Sequence, residues 1–116
     1  MDLELAIATH VEWKTRLRSY VARPDGSLAA DVVARDDRCA LGQWLQGDGE
    51  QYASYPEFDD LRRAHTHFHR CAGAIILEAN CKNSQAEGML GVGRDYAEAS
   101  NAVVILIRRL RERAGL

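Results

Sequence analysis

The chain reads as an all-α protein, most simply an antiparallel four-helix bundle with an additional short helix that carries a cysteine. Three observations lead there. Apolar residues recur at i, i+3, i+4 over long stretches, and no segment shows convincing strand alternation. Helix-start residues and Pro or Gly stops fall where these stripes begin and end. The 116 residues, 47% hydrophobic and 28% charged, suit one domain, 1–116, large enough for a core without staples.

The first helix is expected over 2–22. Asp2 is a plausible N-cap, and Leu3, Ile7, His10, Trp13, Leu17 and Val21 trace an inner face interrupted by one histidine. Pro24 and the Asp25-Gly26 turn pair stop it. A short helix is expected over Leu28–Ala34. A second short helix follows, with Asp36 or Asp37 as cap, Cys39 in its first turn and Gly47 at its end. Residues 47–55 read as a loop. The next helix should run from about Pro56 to about Cys81, opened by a Ser54/Glu57 capping box. Ser84 and Glu87 repeat that spacing, so the last helix can start near Gln85. Gly88, Gly91 and Gly93 weaken its first part. From Asp95 the stripe Tyr96, Ala99, Val103, Leu106, Ile107 and Leu110 is strong, and arginines suit its C-terminal end.

Net charge and cysteine usage exclude several classes. The charge is −2 with acids and bases interspersed, so no basic patch recommends nucleic acid or an anionic membrane. The longest apolar run, Ala102–Ile107, falls far short of the roughly 20 residues a membrane span needs. Asp2 and Glu4 stand where a signal peptide carries basic residues, and three irregularly spaced cysteines do not form a disulfide framework. A cytoplasmic setting is expected, in which a special cysteine is a ligand or a reactive thiol.

The chemistry concentrates in residues 61–76. Leu61, His65, Phe68, His69, Ala72, Ile75 and Ile76 share one helical stripe, which sets two imidazoles one turn apart where a bundle normally presents leucine or valine. A polar group facing a core costs about 1–3 kcal/mol unless it is satisfied. Histidines at i and i+4 can share one metal ion. The plainer alternative is a pair of core histidines bonded to nearby polar groups. His10 interrupts another inner face, and Cys39 opens a short helix anchored by Leu41, Trp44 and Leu45. A bundle can bring these positions together, and three imidazoles with one thiolate complete a tetrahedral set for Zn²⁺. Ca²⁺ and Mg²⁺ prefer oxygen ligands.

His10-x-x-Trp13, Cys39-x-Leu41-Gly42-x-Trp44-Leu45 and His65-x-x-Phe68-His69, in this order, resemble the chemoreceptor zinc-binding (CZB) domain family. The Cys-x-Leu-Gly-x-Trp block is the most specific part of that likeness. The resemblance implies a zinc ion held by His10, Cys39, His65 and His69 inside a helical bundle, usually as a homodimer. It implies a regulatory role in bacterial signalling, upstream of an effector such as a chemoreceptor or diguanylate cyclase, with hypochlorous acid as a possible oxidant of the zinc-bound cysteine. No effector domain is evident in this sequence.

Other residues carry plainer expectations. His67 should face solvent, Cys71 and Cys81 should be small semi-buried fillers, and Trp13 and Trp44 should pack around the site. A purely structural zinc bundle is one alternative to a sensor. A small metal or thiol enzyme is another, although four protein ligands leave zinc no open position for substrate. No catalytic residue is assigned.

Overall fold

The computed structural model describes residues 1–91 and 93–116. In chain order its helices are α1 (Leu3–Ala22), α2 (Ala30–Val33), α3 (Ala40–Gln46), α4 (Pro56–Asn80), α5 (Gln85–Gly88) and α6 (Asp95–Ala114), with a 3₁₀ turn over Asp48–Tyr52. The fold is the all-α helical bundle that the periodicity predicts.

Contacts between helix ends give the topology. His10 of α1 lies against His65 and Phe68 of α4, and Tyr20 further along α1 donates to Asn80 at the end of α4, so these helices run the same way. Glu4 pairs with Arg111, and Glu57 lies 3.4 Å from Arg113, so α6 runs against both. The second rod is broken. Residues 28–46 descend beside α4: the Leu28 carbonyl accepts from Asn80 Nδ2 at 3.1 Å, the Val33 carbonyl meets His69 Nδ1, and Cys39 meets His65. The order is up, down, up, down, with α2 and α3 as the pieces of the second helix. A Cβ on Gly73 would sit 2.6 Å from the Ala34 Cβ and 2.9 Å from the Ala30 carbonyl oxygen.

Caps follow the sequence at Asp2 and at Gly47, which ends α3, and depart from it in three places. Asp2 accepts from the Leu5 N–H at 3.0 Å, as expected. At α3, however, Cys39 is itself the N-cap and its sulfur accepts from the Gly42 N–H at 3.4 Å. Asp37 is engaged by Arg35, and Asp36 by Thr66, so neither carboxylate caps. The Ser54/Glu57 box does not form either: α4 opens at Tyr55 with Pro56 in its first turn, and Glu57 turns to Arg113. Nor does Ser84 cap. The Gln85 N–H goes to Asn83 Oδ1 at 3.0 Å, and α5 ends after one turn, separate from α6.

The core runs the length of the three long helices. Leu17, Leu61, Phe68, Ala72, Ile75, Ile76, Val103, Ile107 and Leu110 are fully buried. On α1 the inner face includes Tyr20, while the expected Trp13 and Val21 are only half-buried. The Tyr20 hydroxyl secures the α1 exit by accepting from the Gly26 N–H at 3.1 Å. Gly115, at φ 72°, closes α6 in the left-handed conformation that glycine adopts without a Cβ penalty. Among the described residues, no helix is long and apolar enough to cross a membrane.

Candidate metal centre

Three helices meet where the sequence concentrates its imidazoles. α1 contributes His10, α4 contributes His65 and His69 one turn apart, and the start of α3 contributes Cys39. One donor atom from each of the four lies within 4.8 Å of every other. Cys39 Sγ is 3.2 Å from His65 Nε2 and 3.6 Å from His69 Nε2, and the two Nε2 atoms are 3.0 Å apart. A tetrahedron with zinc–nitrogen bonds of about 2.0–2.1 Å and a zinc–sulfur bond of about 2.3 Å has edges of about 3.3 and 3.6 Å. The four side chains are therefore already near the spacing that a single ion imposes.

The backbone sets which nitrogen faces the cluster. His10 Nδ1–H donates to the Ala6 carbonyl at 2.7 Å, and His69 Nδ1–H donates to the Val33 carbonyl at 2.9 Å. A carbonyl can only accept, so in the neutral rings both Nε2 lone pairs point inward. His10 Nε2 is buried and, among the described residues, has no hydrogen-bond partner. An orphaned buried lone pair is costly, and a cation answers it. Bonds from the second ring nitrogen to carbonyls are the usual way a protein orients imidazole ligands.

Electrostatics favour a soft cation over protons. Burial pushes all three imidazoles below the ordinary histidine range; in His10 and His69 their carbonyl bonds pull partly the other way. His65 is taken down to about 2, first by burial and then by repulsion from His69 and His10. The rings are thus neutral and ready to coordinate. Burial pushes the Cys39 thiol up, against the N–H groups of Gly42 and Leu41 that favour the thiolate, and Asp36 adds to the rise. Without a metal the sulfur keeps its proton. A bound Zn²⁺ removes it outright. The set of three nitrogens and one sulfur fits zinc, and it offers no oxygen for calcium or magnesium.

One glycine and one threonine make the arrangement possible. Gly42 packs on the Asp36 carbonyl so tightly that a Cβ would lie 1.6 Å from that oxygen. Thr66, between the two clustered histidines of α4, donates to Asp36 at 2.5 Å. Together they hold the 36–39 strap against α4. Sequence reasoning assigned Asp36 a capping role and missed this one; carbonyl partners such as those of Ala6 and Val33 carry no residue-type signal at all.

The remaining candidates separate clearly. His67 is exposed, as the wheel predicts, and lies 3.6 Å from the Cys71 sulfur. Cys71 is half-buried, but Cys81 is exposed at the C-cap of α4, where the helix end leaves nothing to cover it. Trp44 packs on Tyr52 with centroids 5.9 Å apart, and the Arg16 guanidinium lies 4.1 Å over Trp13, so both rings brace the surroundings and neither makes a cage.

Comparison with known protein families agrees with this geometry. The family model of the chemoreceptor zinc-binding domain matches residues 10–76, more than half of the chain. The matched stretch begins at the first clustered imidazole and runs past the last; α6 lies outside it. No curated protein and no solved structure matches. With zinc named in the family and a ready set of soft donors in the fold, the chain belongs to the chemoreceptor zinc-binding domain family.

Proposed function

We propose that His10, Cys39, His65 and His69 together ligate one Zn²⁺, and that the site reports zinc and thiol state to a signalling partner. The observation that carries this reading is the convergence of all four donor atoms within 4.8 Å, two of them oriented by backbone carbonyls. Bound zinc supplies a +2 charge, reduced to +1 by the thiolate. With four protein ligands no position remains for substrate, which accords with a sensory module rather than an enzyme.

Cys39 is the ligand that makes the site switchable. The three histidines stand on helices of 20 and 25 residues, whereas Cys39 caps a helix of seven residues. Hypochlorous acid can oxidise the sulfur to sulfenic acid, with the chlorine leaving as chloride. Loss of the thiolate then frees 36–47 while the histidines stay in place, and this two-state strap is what a sensor needs. Exposed Leu5, Val11, Leu77 and Ile105 on the long helices provide apolar surface for a second copy of the chain or for a chemoreceptor or cyclase partner.

Metal analysis with X-ray absorption tests the ligand set. One zinc per chain, with three nitrogens and one sulfur, is expected. Iron, or a coordinated water in place of one side chain, would reject the closed site. Hydrogen exchange over 36–47 tests the switch. Protection should fall with chelator and with hypochlorous acid. Unchanged protection after zinc has left would reject it, and unfolding of the entire bundle would make the zinc a structural staple. Sedimentation equilibrium tests self-association, for which a concentration-independent monomer is the contrary result.

A further inference from the structure

Away from the metal cluster, a crevice of about 230 Å³ opens between α4, the end of α5 and the start of α6. Ala74, Ile75 and Met89 give it apolar walls, Cys71 and Tyr96 line it, and Arg94 and Asp95 border it. Tyr96 is only 2% exposed, yet its hydroxyl is buried with no hydrogen-bond partner among the described residues. Burial, and then the nearby Cys71 thiol, raise the proton affinity of this phenol well above its usual range, so it stays protonated and can donate. The ring packs on Phe68 at 5.3 Å, and Phe68 in turn lies 5.2 Å from both His10 and His69. The crevice therefore ends two rings from the metal cluster.

Such a space is far larger than the roughly 30 Å³ that one water occupies. An enclosed apolar cavity of about 150 Å³ holds benzene, so by volume this open crevice has room for a somewhat larger ring system. Arg94 and Asp95 offset each other in charge, and a buried net charge on a ligand would go unpaired. Met89 adds a polarizable sulfur that favours an aromatic face.

We propose that this crevice is a binding site for an uncharged, flat organic molecule of about ten heavy atoms, its carbonyl accepting the Tyr96 hydroxyl hydrogen. The site uses none of the metal-facing residues and stands whether or not zinc is sensed there. The test is titration of the zinc-loaded protein with 1-indanone and with indane, which has the same rings but no acceptor, followed by amide shifts in the NMR spectrum. Shifts should centre on Cys71, Ala74, Met89 and Tyr96, with indanone binding about fivefold tighter than indane, the worth of one hydrogen bond. Tyr96→Phe should abolish that preference and leave indane binding in place. Ala74→Phe, a change at an exposed rim position, should abolish both while the rest of the spectrum is retained. No localised shifts, equal affinities for the two probes in the wild type, or unchanged binding in Ala74→Phe would each overturn the proposal.

Discussion

Gly42 decides whether Cys39 can reach the histidines. Any side chain there meets the Asp36 carbonyl, because a Cβ would lie 1.6 Å from its oxygen. That oxygen is backbone, so the strap itself must move. Gly42→Ala is expected to lower stability by about 1–3 kcal/mol, the range for overpacking a tight site. It should also weaken zinc binding about 10- to 100-fold by displacing the sulfur. Competition titration against a chromophoric chelator measures the second effect, and wild-type affinity would contradict the strap's role. Thr66→Val removes the hydroxyl that donates to Asp36 and leaves the ligands untouched. It should cost about 1 kcal/mol in urea denaturation, in line with a single hydrogen bond. His10 and His69 are oriented differently, by the backbone carbonyls of Ala6 and Val33, whose own side chains take no part in the bond.

At the scale of elements, α2 presses closely on α4 at Gly73. Gly73→Ala places a methyl 2.6 Å from the Ala34 Cβ and 2.9 Å from the Ala30 carbonyl oxygen. It should push α2 outward and carry the Val33 carbonyl away from His69. Expected outcomes are a loss of about 1–3 kcal/mol and faster hydrogen exchange over 30–39, while the α1–α6 contact stays protected. Equal exchange in variant and wild type would mean that α2 does not position His69. These close approaches also mark how far the sequence could be read. The stripes on α1, α4 and α6 were legible because each helix buries one face against the same core, and 3.6-residue periodicity records that burial directly. His65 and His69 were legible as buried imidazoles for the same reason, on a stripe of Leu61, Phe68, Ile75 and Ile76. Caps were not. Whether Asp36 or Cys39 takes the Gly42 N–H depends on Thr66, thirty positions away, and local spacing does not register a competitor that only the fold supplies. Glu57 left its expected capping place for Arg113 by the same logic. The break between α5 and α6 was foreshadowed by Gly88 and Gly91, which give a helix the least reason to continue.

For the whole molecule, the buried imidazoles make the metal-free fold sensitive to acid. All three have their proton affinity lowered in the folded state, mainly by burial. In the unfolded chain they take protons near the ordinary histidine value of 6.5. Below that pH the unfolded chain binds protons that the folded one refuses. The stability these residues contribute is therefore fully present above pH 6.5 and is lost as pH falls toward their folded values, at up to about 1.4 kcal/mol per pH unit for each histidine. Cys39 acts with the opposite sign. Its folded value is raised from 9.0, so its contribution is present below pH 9 and lost as pH rises past it. Chelator-treated protein should accordingly be most stable between about pH 6.5 and 9. Zinc should lift the whole curve by about 4 kcal/mol when its free concentration is a thousandfold above the dissociation constant. Urea midpoints at pH 7.5 and 5.5, with chelator present, give the check. The midpoint should drop at pH 5.5 in the wild type. It should drop less in His65→Leu, which replaces the most strongly perturbed imidazole with an apolar side chain that holds no proton to refuse. A metal-free midpoint that does not change between these two pH values would show that the three rings are solvated and lack the buried, neutral state that metal binding requires.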